Sequence, residues 1–167
     1  INAGGRVGDA SLATKLLSTE DPEEARELAA TLEALNQERR QREAEMLAEA
    51  ETAAIAEAEV RSVVIVGSHR WHPGVIGIVA GRLKEKYHRP AIVVGWGEGL
   101  GPVARGSGRS VPGVNLGELI SGAAKSGLLL SGGGHAMAAG LSMDPARLDE
   151  LLEYLEERTK GTAFELA

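Results

Sequence analysis

The sequence predicts an α/β protein, a small βαβ-containing domain preceded by a long connecting helix. Two short β-branched runs, each closed by glycine, flank a segment with helical periodicity, and a charged, alanine-rich stretch precedes them. Glycine supplies 22 of 167 residues while aromatics make up only 3%. That is near twice the usual glycine share of about 7%, so the core is aliphatic and the backbone turns tightly or approaches something closely. The length suits one or two domains of roughly 100 to 200 residues. The absence of cysteine excludes a disulfide framework and any cysteine-ligated zinc or iron–sulfur site. No run approaches the ~18 apolar residues of a membrane span, and residues 1–8 lack the apolar core of a secretory signal. The expectation is a cytoplasmic protein with no membrane partner.

The long helix is read from residues 21–58. It opens on Asp21-Pro22-Glu23-Glu24, a capping carboxylate, proline at the first helical position and glutamate three residues after the cap. Apolar residues recur at Ala25, Leu28, Ala29, Leu32 and Leu35 and again at Met46, Leu47, Ala50, Ala53 and Ala54. Between them, residues 36–43 have no apolar face. The pattern is too broken for a coiled coil and describes a strut packed at its first and last thirds, with a wetted middle.

Ser62-Val63-Val64-Ile65-Val66-Gly67 and Ala91-Ile92-Val93-Val94-Gly95 read as strands. Between them, Val75, Ile76, Val79 and Leu83 fall at helical spacing, with basic residues in the later turns. Strand, helix, strand is a right-handed parallel crossover. Residues 115–125 and 145–158 read as helices, and 139–143 as a further strand.

Charge is segregated along the chain. The net charge is −6. Residues 21–60 hold 12 acidic and 4 basic side chains and residues 144–167 hold 7 and 3, whereas 61–143 hold 9 basic against Glu85, Glu98 and Glu118. The local excess of +6 favours an anionic partner.

Three segments carry chemistry. Arg105-Gly106-Ser107-Gly108-Arg109-Ser110 combines guanidinium forks, hydroxyls and glycines, which suits phosphate oxygens; a solvated surface loop is the alternative. Gly132-Gly133-Gly134-His135 frees the backbone for positive φ and, with a helical turn starting at His135, would form an anion nest; a flexible turn with a capping histidine is the alternative. Gly67-Ser68-His69-Arg70-Trp71-His72-Pro73-Gly74 follows the first strand, where open α/β sheets bind ligands. Without a nearby carboxylate, His69 and His72 make a poor metal pair, so His72 is read as a hydrogen-bond donor to phosphate or a partner carboxylate. Arg82 faces either solvent or the same site, and His88 is an ordinary surface residue. No nucleophilic triad, phosphate-binding P-loop or zinc-protease motif is present. Three carboxylates among residues 61–143 do not supply the several Asp and His ligands of a phosphodiester-cleaving metal site. The pattern is that of a chain that holds a phosphate without cleaving it.

Ile1-Asn2-Ala3-Gly4-Gly5-Arg6-Val7-Gly8-Asp9, the segment from Trp71-His72-Pro73-Gly74 to Arg82-Leu83, Ser107-Gly108-Arg109-Ser110-Val111-Pro112-Gly113, and Gly133-Gly134-His135-Ala136-Met137-Ala138-Ala139-Gly140-Leu141 closely resemble the RecJ family. These are bacterial 5′ to 3′ exonucleases specific for single-stranded DNA, within the DHH phosphoesterase superfamily. The resemblance runs in order over nearly the whole chain. It implies a fragment: residues 1–20 as the end of a DHH catalytic domain, 21–60 as the connecting helix, 61–161 as the DHH-associated substrate-binding domain, and 162–167 as a tail.

The resemblance further implies Mn²⁺ or Mg²⁺ held by the absent N-terminal DHH domain, with no metal bound and no catalytic residue supplied by this fragment. The implied substrate is single-stranded DNA with a 5′ phosphate, processed in DNA repair and recombination. Ser107 and Arg109 are similar to residues recognising the terminal phosphate or adjacent backbone, with Arg6 contributing from the other body. Gly133, Gly134 and His135 are similar to the superfamily's substrate-binding loop, with Gly132 standing where the family often has a bulkier residue. Arg105 and Ser110 join the set by proximity. Trp71 and Trp96 are the only candidate stacking platforms, so backbone contacts should dominate base stacking. Two other readings are a phosphoesterase for short oligonucleotides or cyclic dinucleotides, and a non-catalytic RNA-binding module like the accessory domain of alanyl-tRNA synthetase.

Overall fold

The computed structural model describes residues 4–97 and 101–161. The chain divides into two units, residues 1–45 and 46–167. The first contains α1 (Gly4–Val7), α2 (Ser11–Ser18) and the opening turns of α3 (Pro22–Val60). A Cβ on Gly8 would lie 2.8 Å from a methyl of Leu35, so that glycine lets the loop touch α3. The expected start of α3 is present: Asp21 Oδ1 accepts 2.9 Å from the Glu23 N–H, and Glu24 takes the hydroxyl of Thr19. The middle of α3 is laced by pairs at one-turn spacing, Arg39–Glu43 and Arg42–Glu38, both at 2.6 Å; the second is exposed, but the first is half-buried, so only part of the expected wetted stretch faces solvent.

The division between units falls within α3. Met46, Ala50, Ala54 and Ala58, four residues apart, are buried in the second unit. That unit is a five-stranded mixed sheet of order β1-β2-β3-β5-β4. Its strands are β1 (Val64–Ser68), β2 (Ala91–Gly97), β3 (Gly101–Arg109), β4 (Ser131–His135) and β5 (Ala138–Met143). Only β1 and β2 are parallel, joined by α4 (Ile76–Tyr87) as the βαβ pattern predicts. Both are buried on two faces, which is why they read as unbroken apolar runs. On one face α3 and α4 pack over Val64, Val66, Ala91 and Val93. On the other, α5 (Leu116–Lys125) and α6 (Leu148–Thr159) pack over Ile65, Ile92, Val94, Leu141 and Met143. The single helix expected over 145–158 begins instead as a 3₁₀ turn, Pro145–Arg147, capped by Asp144.

One alternative falls away and one expectation is corrected. Residues 105–109 are strand, not the alternative surface loop: Gly106 and Gly108 face Leu141 and Leu116, which a Cβ would meet at 2.7 and 2.6 Å. The triple glycine is also strand, not a positive-φ nest, and no helical turn starts at His135. Ala136 and Met137 instead form a tight hairpin turn whose carbonyls accept from Leu116 and Ser110 N–H groups. Gly132 and Gly134 are required by contact: their Cβ atoms would lie 2.7 Å from Ile120 and 2.3 Å from the Ala138 carbonyl oxygen.

Candidate nucleic-acid interface

Register brings five of the eleven predicted phosphate-binding residues, Arg105, Ser107, Arg109, Gly133 and His135, onto one surface. Arg109 on β3 lies opposite Ala138 on β5, which lies opposite His135 on β4. The next row is Ser107, Gly140 and Gly133, and the third is Arg105, Ser142 and Ser131. Opposed residues of antiparallel strands project to the same face, so these nine positions form one patch. A hydrogen bond of 2.6 Å between the Ser131 and Ser142 hydroxyls fixes the third row. With strands about 4.8 Å apart, Arg109 and His135 are separated by roughly 10 Å at the backbone, a span that an intervening phosphodiester can bridge.

The helices leave this patch open. α4 packs on β2 and reaches β3, so its flank forms one wall. Gly77 brings it there: a Cβ on that residue would lie 3.0 Å from both Arg109 Nη2 and Ser107 Oγ. Beyond β3 the patch is exposed at Arg105, Gly140, Ser131 and His135 and half-buried at Ser107, Arg109, Ala138, Gly133 and Ser142. Ser121 of α5, which the sequence reading missed, places its hydroxyl 3.7 Å from the Cβ position of Gly133, at the opposite rim.

Arg109 is pre-positioned. Its Nη1 donates 3.0 Å to Ser107 Oγ and 2.8 Å to the Gly108 carbonyl. The Nε and Nη2 groups carry no hydrogen bond within the described residues, which leaves donors in a fixed fork for an anion. Ser107 accepts from Arg109, and its own proton is available to the same ligand.

Other expected site residues lie elsewhere. Ser110 is buried, its hydroxyl donating 2.8 Å to the Val114 carbonyl, so it holds the turn after β3 and does not reach the patch. Arg82 comes five positions after Gly77, rotated to the far side of α4, and is exposed beside Glu85 at 3.5 Å. His72 is half-buried and its Nδ1 accepts 3.0 Å from the Gly74 N–H. Its loop packs on Gly95 and Gly97 at the carboxyl end of β2, beside Arg105, whereas Arg109 pairs with Ala91 at the amino end. The carboxyl-end rule assumes an open parallel sheet; here three of the four strand pairings are antiparallel and the patch is a sheet face. Arg6 is exposed on α1 in the first unit.

Neither tryptophan is a stacking platform. Trp71 is 5% exposed and donates from Nε1 to Glu49 Oε2 at 2.9 Å, with Arg70 at 3.3 Å from the same oxygen. Trp96 packs half-buried onto the α5–α6 side. Among the described residues no three His, Cys, Asp or Glu side chains come together as a metal ion would require. The described residues therefore do not by themselves make a ligand set for Mn²⁺ or Mg²⁺. No described helix is long and apolar enough to cross a membrane.

Residues 59–161 match the DHHA1 domain model. The chain is 39% identical over 165 residues to the single-stranded-DNA-specific exonuclease RecJ of Bacillus subtilis, covering 99% of this chain and 21% of that protein. It is 40% identical over 151 residues to the Escherichia coli protein of the same name, covering 86% and 26%. A crystal structure of RecJ with Mg²⁺ from Thermus thermophilus superposes with a TM-score of 0.85 at 34% identity, over 98% of this chain and 25% of that one. The chain thus spans about a fifth to a quarter of these relatives. The C-Ala domain of Aquifex aeolicus alanyl-tRNA synthetase (TM-score 0.51, 19% identity, 59% of this chain and 91% of that one) shares the fold alone.

Proposed function

The chain belongs to the DHHA1 domain family, and we propose from that premise that it is the substrate-binding part of a RecJ-like exonuclease, gripping single-stranded DNA at a 5′ phosphate. The observation that carries this is the register of Arg109, Ser107, Gly140, Gly133 and His135 on one open sheet face. Arg109 and Ser107 offer fixed donors to a phosphate. His135 and the half-buried backbone at Gly133 take the adjacent linkage. Arg105 extends the track toward the His72 loop. With no Phe, Tyr or Trp side chain on the patch, the grip is chiefly on the sugar–phosphate backbone and largely indifferent to base sequence.

Mn²⁺ or Mg²⁺, as in the RecJ crystal structures, would be held by residues outside this chain and would supply the activation of water for hydrolysis of the terminal phosphodiester. This chain contributes by holding the strand end in place. The setting is DNA repair and recombination in the cytoplasm. The phosphoesterase reading for short or cyclic nucleotides has less support, since a pGpG-specific phosphodiesterase shares the fold at 14% identity and a TM-score of 0.55.

The test is fluorescence anisotropy of the chain with a single-stranded oligonucleotide carrying a 5′ phosphate, across a salt series. Binding that weakens steeply with salt and prefers the phosphorylated end supports the reading. Equal or tighter binding to RNA with no dependence on the 5′ phosphate would transfer it to the RNA-binding alternative.

A further inference from the structure

Glycine inside a strand or helix destabilises the element relative to alanine through lost backbone entropy, so each such glycine calls for a cause. Most of those in the second unit have one: a Cβ at Gly106, Gly108, Gly117, Gly132 or Gly134 would lie within 2.9 Å of a neighbouring atom. At Gly81, Gly101, Gly127, Gly140 and Gly161 a Cβ would meet nothing within 4 Å. Three of these have φ of +65°, +77° and +85°, the left-handed conformation that favours glycine. Gly81 and Gly140 have neither cause. They lie inside α4 and β5, at φ values open to any residue and with room for a side chain.

Both border the same space. Gly140 is the middle position of the patch, on the strand between β3 and β4, in the row of Ser107 and Gly133. It is exposed although both neighbouring strands are present. Gly81 follows Gly77 by one turn on the same side of α4, and Gly77 is the residue against Ser107 and Arg109. One glycine floors the groove beside these cationic and hydroxyl groups and the other lies along its wall.

We infer that Gly140 and Gly81 are specificity-determining positions, kept without side chains so that the sugar–phosphate backbone of a single strand can lie against β5 and α4 within reach of Arg109 and Ser107. This rests on the reading of the patch proposed above. A glycine in a strand interior is a known mark of close approach by a ligand, and a single methyl at either position thickens the floor or the wall without disturbing protein contacts.

The experiment measures melting temperature and affinity for a 5′-phosphorylated single-stranded oligonucleotide in the full chain and in Gly140→Ala, Gly140→Val and Gly81→Ala. The expected result is a melting temperature unchanged or raised in all three, with affinity lowered at least threefold by Gly81→Ala and Gly140→Ala and at least tenfold by Gly140→Val. Unchanged affinity in the three variants overturns the inference while leaving the patch as the binding surface. A lowered melting temperature in the two alanine variants also overturns it, because the glycines would then serve the fold. An unsubstituted chain that shows no salt-dependent binding removes the reading of the patch itself.

Discussion

Replacing Arg109 with alanine tests the patch most directly. In the folded chain this guanidinium spends Nη1 on Ser107 Oγ and the Gly108 carbonyl, and its Nε and Nη2 carry no hydrogen bond among the described residues. A hydrogen bond to a charged group contributes about 1.5 to 3 kcal/mol, which at about 1.4 kcal/mol per decade is roughly a tenfold to hundredfold rise in Kd. Pre-positioning places the expectation in the upper half, since little side-chain entropy remains to be lost on binding. One lost phosphate contact should also lower the slope of log K against log salt by about 0.7 for a single strand. Arg109→Lys separates charge from geometry: it keeps the slope and loses the fork, so its affinity should fall between parent and alanine. Because Arg109 is assigned to the strand end, the loss should be larger on a 5′-phosphorylated oligonucleotide than on its 5′-hydroxyl counterpart. Anisotropy titrations of the three proteins on both oligonucleotides, at several salt concentrations, measure each quantity. An alanine variant with parental Kd and parental salt slope on the phosphorylated strand would falsify the assignment of Arg109 to a phosphate.

The chain alone, incubated with Mn²⁺ and labelled single-stranded DNA, should release no nucleotides; cleavage that co-purifies with the protein would show a metal site outside the described residues. Gly134→Ala should destabilise by more than about 2 kcal/mol in urea unfolding, since the new Cβ would sit 2.3 Å from the Ala138 carbonyl oxygen; parental stability would refute the hairpin geometry. Glu49→Ala removes the acceptor that holds both Trp71 Nε1 and Arg70 and should cost about 1 to 2 kcal/mol by the same assay, parental stability counting against the Trp71 contact. Hydrogen bonds from Arg147 hold the Glu150 carboxyl below its ordinary value of 4.5. Its stabilisation is therefore present above that pH and is lost as pH falls through the lowered value, so Glu150→Gln should flatten the acid limb of a stability profile, and an unaltered limb would count against the pair.

How much of this was legible depends on what each element buries. β1, α4, β2 and the start of α3 announce themselves because two-sided burial writes Val63 to Val66 and Ile92 to Val94 as apolar runs and because Asp21 and Pro22 punctuate a helix. β3 and β4 stayed hidden because one face of each carries the polar and glycine positions of the patch and the other carries glycines under Leu116, Leu141 and Ile120. Neither alternation nor β-branching survives in such a strand, so Arg105 to Arg109 looks like a loop. The residue types of the site were readable; their convergence was not, because it depends on a two-strand register between β3 and β4 through β5. The misplacement of Ser110 and Arg82 has the same origin. A one-residue step past the end of β3 turns Ser110 inward, and five residues along α4 turn Arg82 outward.

Register also changes what the charge segregation means. Of the nine basic residues between 61 and 143, Arg61, Arg70 and Lys86 are paired with Glu57 and Glu153, Glu49, and Glu51 respectively, all carboxylates from the flanking acidic helices, and Arg82 is paired with Glu85. Arg89 donates to the Arg61 carbonyl. Among the described residues that leaves Arg89, Arg105, Arg109, Lys84 and Lys125 without a carboxylate. Arg105 and Arg109 lie on the patch, and Lys84, seven residues after Gly77, returns to the same side of α4. The acidic segments of the second unit therefore do not oppose an anionic ligand. By neutralising Arg61, Arg70 and Lys86, they leave Arg105, Arg109 and Lys84 as three of the five unpaired cations, on or beside the groove, where low ionic screening at close range makes them most effective.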